Sequence, residues 1–187
     1  ENQRVQVGPD GGASDGDALG MGVEVFHTLK SILKKAGHVT AVGDEGGFAP
    51  RLPTNESALT EVMRAIEAAG YKPGEDIGLA LDCAMSEFFD AEQGVYTFDK
   101  GPKSPDELVS IYEDYAKRYP IVSIEDGCAE NDEKGWKLIS ERLGKKVQLV
   151  GDDLFVTNPE RLARGMSQGI ANAILIKLNQ IGTVTET

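Results

Sequence analysis

Four charged residues close four apolar runs in this chain of 187 residues. Asp82 ends "DIGLALD", Glu125 (with Asp126 behind it) ends "PIVSIED", Asp152 (with Asp153) ends "VQLVGDD", and Lys177 ends "NAILIK". A charge at the mouth of a buried run is costly unless it is paired or its pKa moves. Taken singly, each acid reads as a helix cap, and the lysine as a snorkelling chain with its head in water. Recurrence in run after run weakens that reading. Crowded carboxylates repel one another, and a divalent cation is the economical remedy. Oxygen-only ligands, with no His or Cys, suit a hard ion, Mg²⁺ before Zn²⁺. A lysine partly desolvated beside such a centre is expected to lose basicity and to act as a general base; a fixed ion pair with one of the acids is the equal alternative. Glu45, between glycines in "GDEGGFAP", sits in a loop whose Gly46 and Gly47 allow close backbone approach to a ligand. It reads either as part of a tight surface turn or as a candidate general acid.

These groups need elements to hold them. Residues 7–17, rich in Gly and Asp, read as a loop. A helix follows with Leu19, Val23, Phe26, Leu29 and Leu33 on one face and Gly37 as its stop, then a Gly/Pro-rich connection. A second helix carries Leu59, Val62, Met63 and Ile66 and ends at Gly70. From there the pattern turns regular: strands at 76–82, 120–126, 147–153 and 172–177, and helices at 104–119, 131–144 and 158–169. Ser104, Pro105 and Glu107 form a capping-box start for the first of these three helices, and Asn158 with Pro159 opens the last. Apolar strands alternating with amphipathic helices predict an α/β fold with a parallel sheet buried on both faces. In such a sheet the C-terminal strand ends share one edge, where ligands bind, so the fold would gather the acids and the lysine. Pattern alone leaves open a doubly wound sheet or a closed barrel.

Composition sets outer limits. The charged and apolar fractions are those of a globular protein. A net charge of −12 argues against nucleic-acid or anionic-membrane partners, both of which require a basic face. Cys83 and Cys128 form no CxxC motif and read as free thiols in a reducing compartment. No apolar run has the length of a membrane span, and no signal-peptide pattern is present.

The segments "GDEGGFAP", "LDCAMSEFF", "SIEDG", "GDDLFVTNP" and "ILIKLNQIGTVTET" occur in an order and spacing that resemble the enolase family, the phosphopyruvate hydratases of glycolysis, with bacterial members nearest. The resemblance spans roughly residues 18 to 187. It implies part of an enolase-type (β/α)₈ TIM barrel with a ββαα start followed by βα repeats. The segment around Arg4 to Gly8 would be barrel strand two, and the four later strands would be strands three to six. The N-terminal capping domain and the last barrel strands would lie outside residues 1–187, and the chain alone is expected to be inactive. Asp82, Glu125 and Asp152 match the family's Mg²⁺ ligands. Lys177 matches the base that takes the C2 proton of 2-phosphoglycerate, and Glu45 the acid that assists loss of the 3-hydroxyl to give phosphoenolpyruvate. The resemblance also implies a cytoplasmic homo-oligomer, dimer or octamer, with a secondary cell-surface pool and host-protein binding as a known variation. An acid-sugar dehydratase of the same superfamily and a non-catalytic scaffold are the rival readings. Two departures stand out. Met85 occupies a position where the family usually has a small residue, a crowding worth roughly 1–3 kcal/mol. Gly20 and Gly22 should each weaken the first helix by about 1 kcal/mol relative to Ala.

Overall fold

The computed structural model describes residues 4–9, 14–43, 46–99 and 101–187. They divide into two compact units: Val5–Leu79, and Ala80–Thr187 together with Arg4.

In the first unit, strand β1 (Arg4–Pro9) leads to helix α1 (Asp15–Lys35) and helix α2 (Asn55–Ala68). Each helix begins where a side chain satisfies a free backbone donor. Ser14 accepts from the Asp17 N–H and Thr54 from the Ser57 N–H, both at 3.2 Å. The first helix ends where Gly37 takes a positive φ of 80°. The two helices pack together. Tyr71 donates to Glu24 across this unit, and Phe26 stacks on Phe48 with ring centroids 4.5 Å apart. Residues 7–17 are not one loop: the strand runs through Pro9 and the helix starts at Asp15. The Gly/Asp composition hid both ends, because strand pairing and a Ser cap override local propensity. The predicted apolar face is also shifted. Leu33 is buried, but Leu19 and Val23 are exposed, and Val25 is buried in their place. Gly20 and Gly22 do not interrupt the helix.

The second unit completes strand β2 (Ile77–Asp82) and adds strands β6 (Ile121–Glu125), β7 (Gln148–Gly151) and β8 (Ala173–Ile174). The five-stranded sheet has the order β1-β2-β6-β7-β8, so β1 and β8 are edges and the barrel is not closed. β6 and β7 pair in parallel with Glu125 opposite Val150, and β7 and β8 pair in parallel with Gly151 opposite Ile174. Helices α3 (Pro105–Arg118), α4 (Glu133–Leu143) and α5 (Pro159–Gln168) alternate with these strands, as the pattern predicts. The capping box is complete: Ser104 accepts from the Glu107 N–H, and Glu107 accepts from the Ser104 N–H. Leu79, Ile124 and Leu149 from the strands and Leu108, Tyr112, Trp136 and Ile139 from the helices are almost completely buried.

Two features went unread in the sequence. A small antiparallel sheet of β3 (Phe89–Asp90), β4 (Val95–Phe98) and β5 (Gly101–Lys103) fills the stretch between β2 and α3. These strands are too short to produce a clear alternation. The run 172–177 is a strand only over Ala173–Ile174, and it is half-buried rather than buried, with Ile176 exposed. β8 is the outermost strand, which leaves this apolar run covered on fewer sides than its composition suggests. A short helix, α6 (Leu178–Ile181), follows it.

Candidate active site

Three strands deliver acids to their C-terminal ends. Asp82 is the last residue of β2 and Glu125 the last of β6, while Asp152 is the first residue past β7. Main-chain bonds hold these ends side by side. The Cys83 N–H donates to the Glu125 carbonyl (3.0 Å), the Met85 N–H to the Asp126 carbonyl (3.2 Å), and the Asp126 N–H to the Val150 carbonyl (3.0 Å). Met85 itself is fully buried just behind Asp82.

Asp126 has a role that the sequence reading did not assign to it. Its φ is 42°, a region non-Gly residues seldom occupy, and its side chain is buried. Its carboxylate turns back on the loop after β7. Oδ1 accepts from the Asp152 N–H (3.2 Å) and Oδ2 from the Asp153 N–H (2.8 Å). Asp126 therefore fixes the backbone from which the Asp152 carboxylate projects. The only available signal was the paired acid "ED", and spacing could not tell a ligand from a brace.

Asp152 is the most buried of the three predicted ligands together with Asp82. Its Oδ2 is ion-paired with the Lys177 ammonium. Its Oδ1 is buried and has no hydrogen-bond partner among the described residues. Lys177 sits at the start of α6, and its N–H donates to Thr157 Oγ1 (2.9 Å). Thr157 in turn donates to Gln180, while Val156 and Thr157 both adopt positive φ, 44° and 55°. Two consecutive β-branched residues in that region mark a strained turn, and the turn sets the height of Lys177 beside Asp152.

The electrostatics follow from crowding. Burial first, then the charges of Asp82, Asp152 and Asp126, push the Glu125 carboxyl up to about 7. Burial likewise raises Asp126 to about 6, and raises Asp82 and Asp153. The hydrogen bond to Asp152 raises Lys177 above the ordinary lysine range. A depressed lysine was one of two expectations; the protein's own groups produce the other, an ion pair.

The structure thus gathers Glu125, Asp152 and Lys177, with Asp82 near enough for its charge to be felt at Glu125. Oxygens of Glu125, Asp126 and Asp152 lie within 4.8 Å of one another. Glu45 lies outside the described residues. The donor set fits a hard cation: all oxygen, largely buried, mutually repelling, with one orphaned carboxylate oxygen that a cation would satisfy.

A family model described as "Enolase, C-terminal TIM barrel domain" matches residues 1–187. The chain belongs to the family of enolase C-terminal barrel domains. The family points to a lyase-type enzyme of the enolase superfamily with a small-molecule substrate. Enolase-family proteins typically use Mg²⁺, in keeping with the acidic cluster. Among the described residues no helix is long and apolar enough to cross a membrane.

Proposed function

We propose that this enolase-family chain carries the catalytic strand ends of a bacterial-type glycolytic enolase, which interconverts 2-phosphoglycerate and phosphoenolpyruvate in the cytoplasm as a homo-oligomer. On this reading residues 1–187 are barrel strands two to six, completed by strands outside them. The open sheet order, with β1 and β8 as edges, supports that arrangement. Asp82, Glu125 and Asp152 would hold Mg²⁺, Lys177 would take the proton, and Glu45 would protonate the departing hydroxyl.

The observation that carries the reading is the meeting of Lys177 with Asp152, whose other oxygen is buried without a partner beside Glu125. A proton α to a carboxylate is very weakly acidic, since its removal places further charge on an anion. Bound Mg²⁺ would stabilise that charge at the substrate carboxylate; enolase-superfamily sites that join a Lys or His base to one or two Mg²⁺ ions are a known pattern. Lys177 can abstract a proton only as the neutral amine, so its pair with Asp152 has to open before it serves as base. Asp126 keeps Asp152 aimed while that exchange occurs, because its carboxylate holds the backbone and not the lysine. A general acid on a loop apart from the strand ends suits an elimination in which base and acid work on opposite faces. The five charged groups together favour catalysis over a purely binding role.

The test is turnover by the complete polypeptide carrying this domain, offered 2-phosphoglycerate and a panel of acid sugars. Conversion of 2-phosphoglycerate alone, abolished by Lys177→Ala, is the expected result. Dehydration of an acid sugar in its place would move the chain to another branch of the superfamily.

A further inference from the structure

Asp82 does not stand free at the end of β2. Arg4 Nη1 donates to its Oδ2 at 2.8 Å, with the Asp82 side chain 11% and the Arg4 side chain 40% exposed. The carboxylates drawn within 4.8 Å of one another are Glu125, Asp126 and Asp152, and Asp82 is not in that set. Asp126 takes one main-chain N–H on each oxygen, from Asp152 and Asp153, which ties its carboxylate to the loop after β7. A cation at Glu125 and Asp152 gains Asp82 as a further ligand only if that carboxylate turns from Arg4 toward it.

We propose, resting on the metal-centre reading above, that Arg4 is a counter-cation that pins Asp82 apart from the other carboxylates and is exchanged for the metal when the site loads. Lys177 does the same for Asp152, so the site carries a cation on each side. Guanidinium and a divalent ion are of like sign and compete for one carboxylate, and the charge-assisted bond from Arg4 Nη1 holds the Asp82 oxygen that the ion would take. Arg4 lies on β1 and is half-exposed, so its guanidinium reaches water. Arg4 is in this sense a residue that sets metal affinity and not a ligand.

The experiment is a Mn²⁺ titration followed by the paramagnetic resonance of the free ion. It compares the chain with Arg4→Gln, Arg4→Lys, Asp82→Asn and the Arg4→Gln/Asp82→Asn double variant, with circular dichroism recorded on each. Loss of one half-exposed ion pair should tighten Mn²⁺ binding about three- to fivefold in Arg4→Gln. Arg4→Lys, which keeps the charge on a more flexible stem, should fall between it and the parent. The gain should vanish in the Asp82→Asn background, because nothing is left to release. Unchanged or weaker binding in Arg4→Gln, while the parent binds saturably, overturns the exchange; so does a gain that persists without Asp82, since Arg4 would then act through its field alone. If Arg4→Gln does not fold, parent-like or weaker binding by Arg4→Lys overturns it equally. Absence of saturable binding in every protein overturns the metal-centre reading itself.

Discussion

Tyr96→Phe removes one oxygen atom and should cost a substantial fraction of the chain's stability. Tyr96, on β4, is fully buried, and its hydroxyl serves two partners. It donates to Asp132 Oδ2 at 2.6 Å and accepts from the Ala129 N–H at 3.0 Å. Both partners are buried, and both belong to a segment that is tied elsewhere. Asp132 Oδ1 caps α4 through the Gly135 N–H (2.9 Å), and the Ala129 carbonyl accepts from Trp136 Nε1 (3.1 Å). Burial keeps the Tyr96 phenol protonated far beyond the ordinary tyrosine range, so the donor is present at every working pH. Phenylalanine would fit the space but leave an amide N–H and a carboxylate oxygen unsatisfied. At about 1–3 kcal/mol for each orphaned group, offset by the easier burial of an apolar ring, the net loss is about 2–4 kcal/mol. Urea denaturation followed by far-ultraviolet circular dichroism measures it; with a slope of roughly 2 kcal/mol per molar, the midpoint should fall by about 1–2 M. Asp132→Asn should couple to it, the double variant differing from the sum of the singles by at least about 0.5 kcal/mol. A loss under about 0.5 kcal/mol, or strict additivity, would refute the claim that this network holds the segment leading from Glu125 to α4.

Other consequences are as direct. A methyl added at Gly151 would stand 2.6 Å from Phe155 Cδ2 and 3.1 Å from Leu154 Cβ, so Gly151→Ala should destabilise by about 1–3 kcal/mol, and a Phe155→Leu change should recover part of that in the same melts. The hydrogen bonds from Ser104 hold the Glu107 carboxyl below its ordinary 4.5, which means its contribution is fully present above that value and is lost as pH falls through the lower native one. Glu107→Gln should therefore lower the thermal midpoint at neutral pH and lose its effect in acid; an equal effect at both pH values would show that the capping box does not depend on this charge.

The regular part of the chain was legible because its signals are local and agree with one another. Capping residues open α3 and α5 where the sequence places them, and the apolar runs that become β2, β6 and β7 are bounded by charge. Three strands ending in acids could be read together because a parallel sheet leaves only one edge for them. Contacts with a register were illegible. The Asp126 bonds to the loop after β7 span 26 and 27 residues and depend on a positive φ that no composition announces. The Arg4–Asp82 pair joins residues 78 apart. Leu19 and Val23 show the opposite limit, since helical periodicity names an apolar face but not what covers it. β3 to β5 were missed because two to four residues carry too little pattern to separate a strand from a turn.

If strand-end carboxylates of this chain gather one divalent cation, Mg²⁺ calorimetry on the chain and on Asp152→Asn will show it. Asp152 contributes the buried oxygen without a partner, so its loss should remove the site while leaving the fold, followed by circular dichroism, intact. Saturable binding of one ion per chain, lost in the variant, is the expected result. Heats indistinguishable from dilution in the parent chain, or equal binding by Asp152→Asn, would contradict it.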